Sequence, residues 1–405
     1  MKFKLVLYLI IIFTNLITLS ANPEDEGNSK NFKSRLNMYG VDLNFKYTAD
    51  FYNNVSGGVE TGSKFINQIH FGTDLILDKI FNINPAILHA SFIGVKGNQP
   101  NDLVGSTQGV SNIETNNLFK LYDLWIDFQL NDHFSILAGL FDVNSEFDTK
   151  YNSGLFINPS HGIGAEFGLT GINGPSIYPN TSFGIRTNFT FGHKNYIKLG
   201  IFDAVPGTEE DPYKTYIDLK FNDGLLLVSE FGYDCYDDFE FENINDQCMY
   251  FAVGIWYFTN KHNEVIGTNK HHGNFGFYSF LESRLFLLNQ ESYLSGFIRT
   301  GLADNDVNQI DLFFSGGLVL NNYFFDEDQL GLTFASSRYS RKYFNSQSIL
   351  NENPALYETN IELTYLVNIT DFASIQPDIQ YFINPSHKSS FKNSLCVGLR
   401  TIISF

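Results

Sequence analysis

Val41-Asp42-Leu43-Asn44-Phe45-Lys46-Tyr47-Thr48-Ala49-Asp50-Phe51 is the stretch that decides the fold. Odd positions are apolar or aromatic and even positions are polar or charged. Only an extended strand turns that period of two into one apolar and one polar face. The same dyad returns at Ile69, Phe71, Leu75 and Leu77 against Gln68, His70, Gly72 and Asp74, and at Phe183, Ile185, Phe189 and Phe191 against Ser182, Arg186, Asn188 and Thr190. Toward the end it recurs at Ile361, Leu363, Tyr365 and Val367, at Ile375, Ile379, Tyr381 and Ile383, and at Leu395, Val397, Leu399, Ile403 and Phe405.

Soluble sheets use strands of about five or six residues. Runs of about nine to eleven residues, apolar on one face and polar on the other, match strands tilted across a hydrocarbon layer. The expected class is therefore an all-β, antiparallel transmembrane barrel. Strands are expected near 41–52, 65–77, 86–95, 119–130, 133–143, 181–191, 195–203, 224–233, 249–258, 276–287, 292–301, 309–320, 328–338, 358–368, 372–383 and 393–405. That makes about sixteen, an even number as bacterial barrels have. Connections after even-numbered strands are mostly tight, as at Asn131-Asp132 and Thr370-Asp371, and those after odd-numbered strands are mostly long. Short turns belong in the periplasm, so both termini are expected there. One connection breaks the rule: Asp234 to Gln247 is long where a turn is due, which puts strand eight or nine under suspicion of being misplaced.

Composition agrees. The 405 residues carry 41 Phe and 22 Tyr but only 3 Met, a mixture that favours strands over helices. With 26 Lys+Arg against 44 Asp+Glu the formal charge is −18, which argues against nucleic acid as a partner. Lys2 and Lys4 precede an apolar run, Leu5 to Leu19, and Leu19-Ser20-Ala21 supplies small residues before Asn22. This reads as a secretory leader over residues 1–21, followed by a periplasmic segment 22–40 that has room for a short helix and by a barrel over 41–405. The remaining apolar stretches are too interrupted for a helical span.

Several segments then carry a resemblance. Phe141-Asp142-Val143-Asn144-Ser145-Glu146-Phe147-Asp148 is followed by Ser153-Gly154-Leu155-Phe156-Ile157-Asn158, Gly162-Ile163-Gly164 and Asn173-Gly174-Pro175-Ser176-Ile177-Tyr178-Pro179. Tyr47-Thr48-Ala49-Asp50, Phe202-Asp203-Ala204-Val205-Pro206-Gly207 and Ser374-Ile375-Gln376-Pro377-Asp378-Ile379-Gln380-Tyr381 extend the series over nearly the whole mature chain. Together they resemble the carbohydrate-selective porins of the OprB type. The tryptophan-glycine pair expected ahead of the first strand is absent, with Phe32-Lys33-Ser34-Arg35-Leu36 in that region, and the Cys235 to Cys248 insertion is unusual. The resemblance implies a sixteen-stranded outer-membrane barrel passing sugars by diffusion. The terminal Phe405 is, by the same family analogy, a residue read by the barrel-assembly machinery.

A barrel of this size leaves a water-filled lumen, so inward positions tune what passes. By parity Asp42, Lys46, Asp50, Asp123, Asp127, Arg186, Glu282, Arg284, Glu362, Asp378 and Arg400 face it. The longest connection, Asn144 to Asn180, is expected to fold into the lumen and narrow it, with Glu146, Asp148, Phe156, His161, Glu166 and Tyr178 as candidates for the constriction. The acidic balance predicts a modest preference for cations when only salt is present.

No enzyme motif is present: Gly-x-Ser-x-Gly, His-Glu-x-x-His and a phosphate-binding Gly loop are all missing. No cofactor is expected. His262, His271 and His272, and the acid runs Glu209-Glu210-Asp211, Asp237-Asp238 and Asp326-Glu327-Asp328, read as solvated loop residues sooner than as metal ligands. Cys235 and Cys248 flank one connection and are placed to pair in an oxidising periplasm, leaving Cys396 alone. The expected partners are small sugars as permeants and outer-membrane lipid. The alternative readings are a general or cation-preferring porin, and a plugged barrel with an adhesin-like surface role.

Overall fold

The computed structural model describes residues 30–81, 85–192, 194–207, 211, 214–215, 223–235, 249–289, 291–350 and 353–405. The leader 1–21 lies outside the described residues, as do Glu209, Glu210, Asp237, Asp238 and Cys248.

The strands are β1 Val41–Ser56, β2 Gly62–Ile76, β3 Ala86–Gly97, β4 Leu118–Asn131, β5 Phe134–Phe141, β6 Ser182–Phe191, β7 Asn195–Asp203, β8 Leu225–Asp234, β9 Met249–Asn263, β10 Lys270–Leu287, β11 Tyr293–Ala303, β12 Ile310–Asn321, β13 Gln329–Tyr339, β14 Tyr357–Thr370, β15 Ala373–Ile383 and β16 Ser394–Ser404. Each pairs antiparallel with its sequence neighbours, and β1 pairs with β16, so sixteen strands form a closed barrel with no free edge. The seam is tight to its last residue. Phe45 and Phe405 exchange backbone N–H to O bonds of 3.1 Å each, and their rings stack 5.1 Å apart.

Every strand expected from alternation is present, and β8 and β9 pair in register from Leu226↔Phe258 to Asp234↔Tyr250. Neither is misplaced; the connection between them is simply long. The largest boundary error is at β9 and β10, which run past the expected ends through Lys261-His262-Asn263 and Lys270-His271-His272. Beyond the hydrocarbon layer a strand needs no apolar face, so the period vanishes while the pairing, His271↔His262 for instance, continues.

Outward positions are exposed and apolar, among them Phe51, Ile185, Ile201, Ile255, Leu302, Leu332, Leu363 and Leu399. A band of that extent is tolerated only where hydrocarbon is the solvent. Inward positions are polar yet buried, including Thr48, Asp50, Glu230, Glu282, Arg299 and Glu362. Something fills the lumen. A helix, Lys30–Met38, precedes β1 and turns into it at Gly40, whose φ of +81° and lack of a Cβ matter because an added Cβ would lie 2.9 Å from Lys79 Cβ.

Candidate functional site

Two connections account for the buried lumen, residues 98–117 between β3 and β4 and residues 142–181 between β5 and β6. Both carry short helical turns but little regular pairing, so their backbone N–H groups need acceptors from elsewhere. Acids on the inner wall supply them, because the two oxygens of one side chain can accept from two amides at once. Glu358 of β14 accepts from the Thr107 and Gln108 N–H groups at 3.0 and 3.1 Å and from Ser106 Oγ at 2.7 Å. Glu362, four residues along the same face, accepts from Ile157 and Asn158 at 2.6 and 3.0 Å. Glu282 of β10 accepts from Tyr151 and Asn152 at 2.7 and 2.9 Å. Glu230 of β8 takes the Asp148 N–H at 2.8 Å together with the Tyr196 and Tyr278 hydroxyls.

The longer loop is further pinned by charge. Arg299 of β11, 1% exposed, donates from Nη2 to Asp148 Oδ2 at 2.7 Å and from Nη1 to Glu166 Oε2 at 2.8 Å. Lys150 Nζ lies 2.9 Å from Asp148 Oδ1. Burial by itself would raise the Asp148 carboxyl, but the Arg299 and Lys150 charges outweigh it and hold the group below the usual carboxylate range. Two glycines make room for this cluster. A Cβ on Gly164 would sit 1.9 Å from Arg299 Nη1, and one on Gly301 would sit 1.9 Å from Glu166 Oε1. Phe167, next to Glu166, stacks on Trp256 at 5.0 Å and seats the same segment in an apolar cluster that includes Phe258 and Tyr278.

Between the loops and the β1, β2, β15 and β16 wall a cavity of about 670 Å³ remains. Its polar lining comes from Lys46 and Thr48 of β1, Gln68 of β2, Gln329 of β13, Gln376 of β15 and Arg400 of β16 on the wall side. The loops add Asn112, Asp142, Asn144, Tyr151 and Tyr178. Arg400 Nε and Nη2 each lie 2.8 Å from a different oxygen of Asp50, and Nη2 also reaches Asn112 Oδ1 at 2.8 Å. Asp142 is capped by the Tyr122 hydroxyl at 2.6 Å and by the Asn144 and Tyr178 N–H groups at 2.7 and 3.0 Å. Tyr178 donates its hydroxyl to the Ile113 carbonyl at 2.9 Å, so the two loops also hold each other. Such a lining offers donors, acceptors and two aromatic faces to a polyhydroxylated guest.

The residues singled out from sequence divide into groups. Lys46, Arg400 and Tyr178 line the cavity. Asp50 lies behind Arg400, and Asp378 accepts from the Tyr52 hydroxyl at 2.8 Å. Glu282 and Glu362 are loop anchors, as described. Arg186 joins Glu146 at 2.7 Å and Asp127 at 3.4 Å, away from the cavity. Asp123 bonds to Ser91 Oγ at 3.1 Å, Asp42 sits opposite Asp74 near the barrel end that holds the termini, and the Arg284 guanidinium lies 4.2 Å over the Tyr293 ring.

Of the constriction candidates, Asp148, Phe156, His161 and Glu166 are turned into the wall of the barrel instead of the open space. Burial, with the nearby Lys150 charge, lowers His161 to about 3, and its ring packs beside Phe156 and Phe297. The loop needs these groups for its own attachment, so they are not free to meet a guest.

Arg299, Glu230, Glu358 and the whole loop 98–117 were not singled out from sequence. The first three stand on the polar parity of their strands, which is the signal that would have found them. A bulge at Tyr122, between the pairs Ser91↔Asp123 and Phe92↔Leu121, turns Lys120 and Tyr122 inward along with Asp123. Strict parity misses it. Among the described residues no cluster of His, Cys, Asp and Glu is arranged to hold a metal. Asp328 of the last acid run instead caps the N–H groups of Tyr323, Phe324 and Phe325. Cys235 is disulfide-bonded, and Cys396 is free and buried.

Comparison with known proteins gives a consistent result. The family model described as carbohydrate-selective porin, OprB family, matches residues 60–405. The high-pH structure of Pseudomonas putida OprB superposes with a TM-score of 0.82 at 19% identity, covering 94% of this chain and 97% of that one. Its low-pH structure gives 0.60 at 14% identity over the same shares. The outer membrane channel DcaP of Acinetobacter baumannii gives 0.55 at 9% identity, covering 90% of this chain and 98% of that one. No curated protein matches by sequence.

Proposed function

Because the chain belongs to the carbohydrate-selective porin family of the OprB type, we propose that it is an outer-membrane channel through which glucose-like monosaccharides and related small sugars diffuse. The observation that carries this reading is the cavity of about 670 Å³ left between two anchored inner loops and one wall of a sixteen-stranded barrel. A sugar entering it exchanges hydration water for Thr48, Gln68, Asn112 and Gln376, and lays its apolar face against Tyr151 or Tyr178. Throughput requires that these contacts be individually weak, so that the guest leaves as readily as it enters.

The same reading places both termini in the periplasm, since the tight turns share their end of the barrel. It assigns residues 1–21 to export and residues 22–40 to a periplasmic segment. It also assigns the C-terminal strand, ending in exposed Phe405, to recognition by the assembly machinery. Purified protein in planar bilayers tests the central claim. A stable channel whose current falls saturably as glucose is titrated is expected. Channels indifferent to every small sugar, with no sugar flux in liposome swelling, reject it.

A further inference from the structure

We propose that the cavity prefers sugars bearing a carboxylate, uronates or aldonates, over neutral sugars, with Lys46 and Arg400 as the specificity-determining pair; the proposal rests on the sugar-channel reading above. The chain as a whole is strongly acidic, at −18, which points the other way. What decides the matter is which charges reach the open space. Among the described residues three charged side chains line the cavity: Lys46, Asp142 and Arg400.

Asp142 is the sole acid among them, and it is spent. Its oxygens are occupied by the Tyr122 hydroxyl and two backbone amides, and burial raises its carboxyl above the ordinary value. Arg400 gives Nε and Nη2 to Asp50, Ser111 and Asn112, while Nη1 has no protein partner among the described residues. Lys46 makes no ion pair among the described residues and is exposed on the lumen side of β1. It stands four positions before Asp50, the strand partner of Arg400, on the same face of β1, and both cations line the one cavity, so a guest there meets the two together.

Toward the barrel end that holds the termini, Lys46 also borders a second space of about 470 Å³. That space is lined by Lys46 again and by Lys33, His70, Asp371 and Phe405. Lys46 and Lys33 thus place two ammonium groups around this space against the one carboxylate of Asp371. An anionic polyol gains a charge-assisted bond there that glucose cannot make. Solvent screening holds the advantage to roughly fivefold.

The test uses the mature protein in planar bilayers at constant ionic strength, with glucose, glucuronate and gluconate titrated separately. Half-blocking concentrations for the two acids are expected to be roughly fivefold lower than for glucose. In a KCl gradient the reversal potential should favour chloride. Lys46→Gln should bring the acid-to-glucose ratio toward one, and Lys46→Arg should keep it. Block by glucose with no preference for the acids overturns this proposal and leaves the sugar channel standing, as does a ratio unchanged in Lys46→Gln. Absence of block by any of the three removes both. If Lys46→Gln forms no channels, the wild-type ratio alone decides.

Discussion

Arg299→Met removes the guanidinium that ties the inner loop to β11 and leaves two carboxylates behind. In the native protein Arg299 is 1% exposed and meets both Asp148 and Glu166 at 2.7 Å. After the substitution Asp148 retains Lys150 at 2.9 Å, but Glu166 loses the only ion-pair partner it has among the described residues. Removing one member of a buried charge pair costs about 3–5 kcal/mol, mostly as the penalty of the charge left behind. The barrel wall does not absorb that cost, because its strands remain paired. The weaker element is the segment around Gly164 to Gly168, held otherwise by Phe167 against Trp256. It should detach while Glu230, Glu282 and Glu362 keep the rest of the loop in place. The expected readout is a larger, noisier single-channel conductance with weaker sugar block, and a folded band on unheated gels that survives to a lower temperature. Arg299→Met with Glu166→Gln should recover more than half of the loss, since a neutral amide needs no countercharge. Arg299→Met channels indistinguishable from wild type in conductance, block and heat stability refute the reasoning.

Three further outcomes follow from the same geometry. Gly164→Ala places a methyl 1.9 Å from Arg299 Nη1 and 2.3 Å from Glu166 Oε2, so it should reproduce the Arg299→Met conductance without changing any charge. Glu358→Ala strips the Thr107 and Gln108 amides of their acceptor, and bilayer recordings should show widening from the side of loop 98–117, a loop that plays no part if residues 142–181 alone narrow the lumen. His161 is held neutral, at about 3 against an ordinary value near 6.5, so its contribution to stability is complete above pH 6.5 and is lost as the pH falls toward 3. His161→Phe should flatten that acid-side loss, of the order of a few kcal/mol, in melting temperature measured against pH.

The barrel was legible because the period of two is imposed from outside: each strand meets hydrocarbon on one face and a polar interior on the other. Where that constraint stops, at Lys261 to His272, alternation no longer marks the strands. The Tyr122 bulge shifts the face of two residues without altering composition, so parity alone cannot register it. The site was less legible than the fold. A polar loop such as 98–117 reads alike whether it lies over the barrel or inside it. Asp148, His161 and Glu166 belong to residue types usually found in water, and their burial depends on wall residues such as Arg299 that lie far away in sequence.

Part of the acid on the wall has a structural cause that bears on selectivity. Irregular backbone inside a barrel carries N–H groups that neither sheet nor helix satisfies, and water is largely displaced from them. Lysine and arginine cannot help, having no acceptor, whereas one carboxylate closes two successive amides. Glu358 does this for residues 107 and 108, Glu282 for 151 and 152, and Glu362 for 157 and 158. A porin that folds two such loops inward therefore needs acids on its wall whatever it transports. Those acids point at the loops and not at the permeant. Net charge foretells the sign of the field in a pore only while the carboxylates are free; in this barrel amides have claimed Glu282, Glu358 and Glu362, and the cations lining the cavity are Lys46 and Arg400.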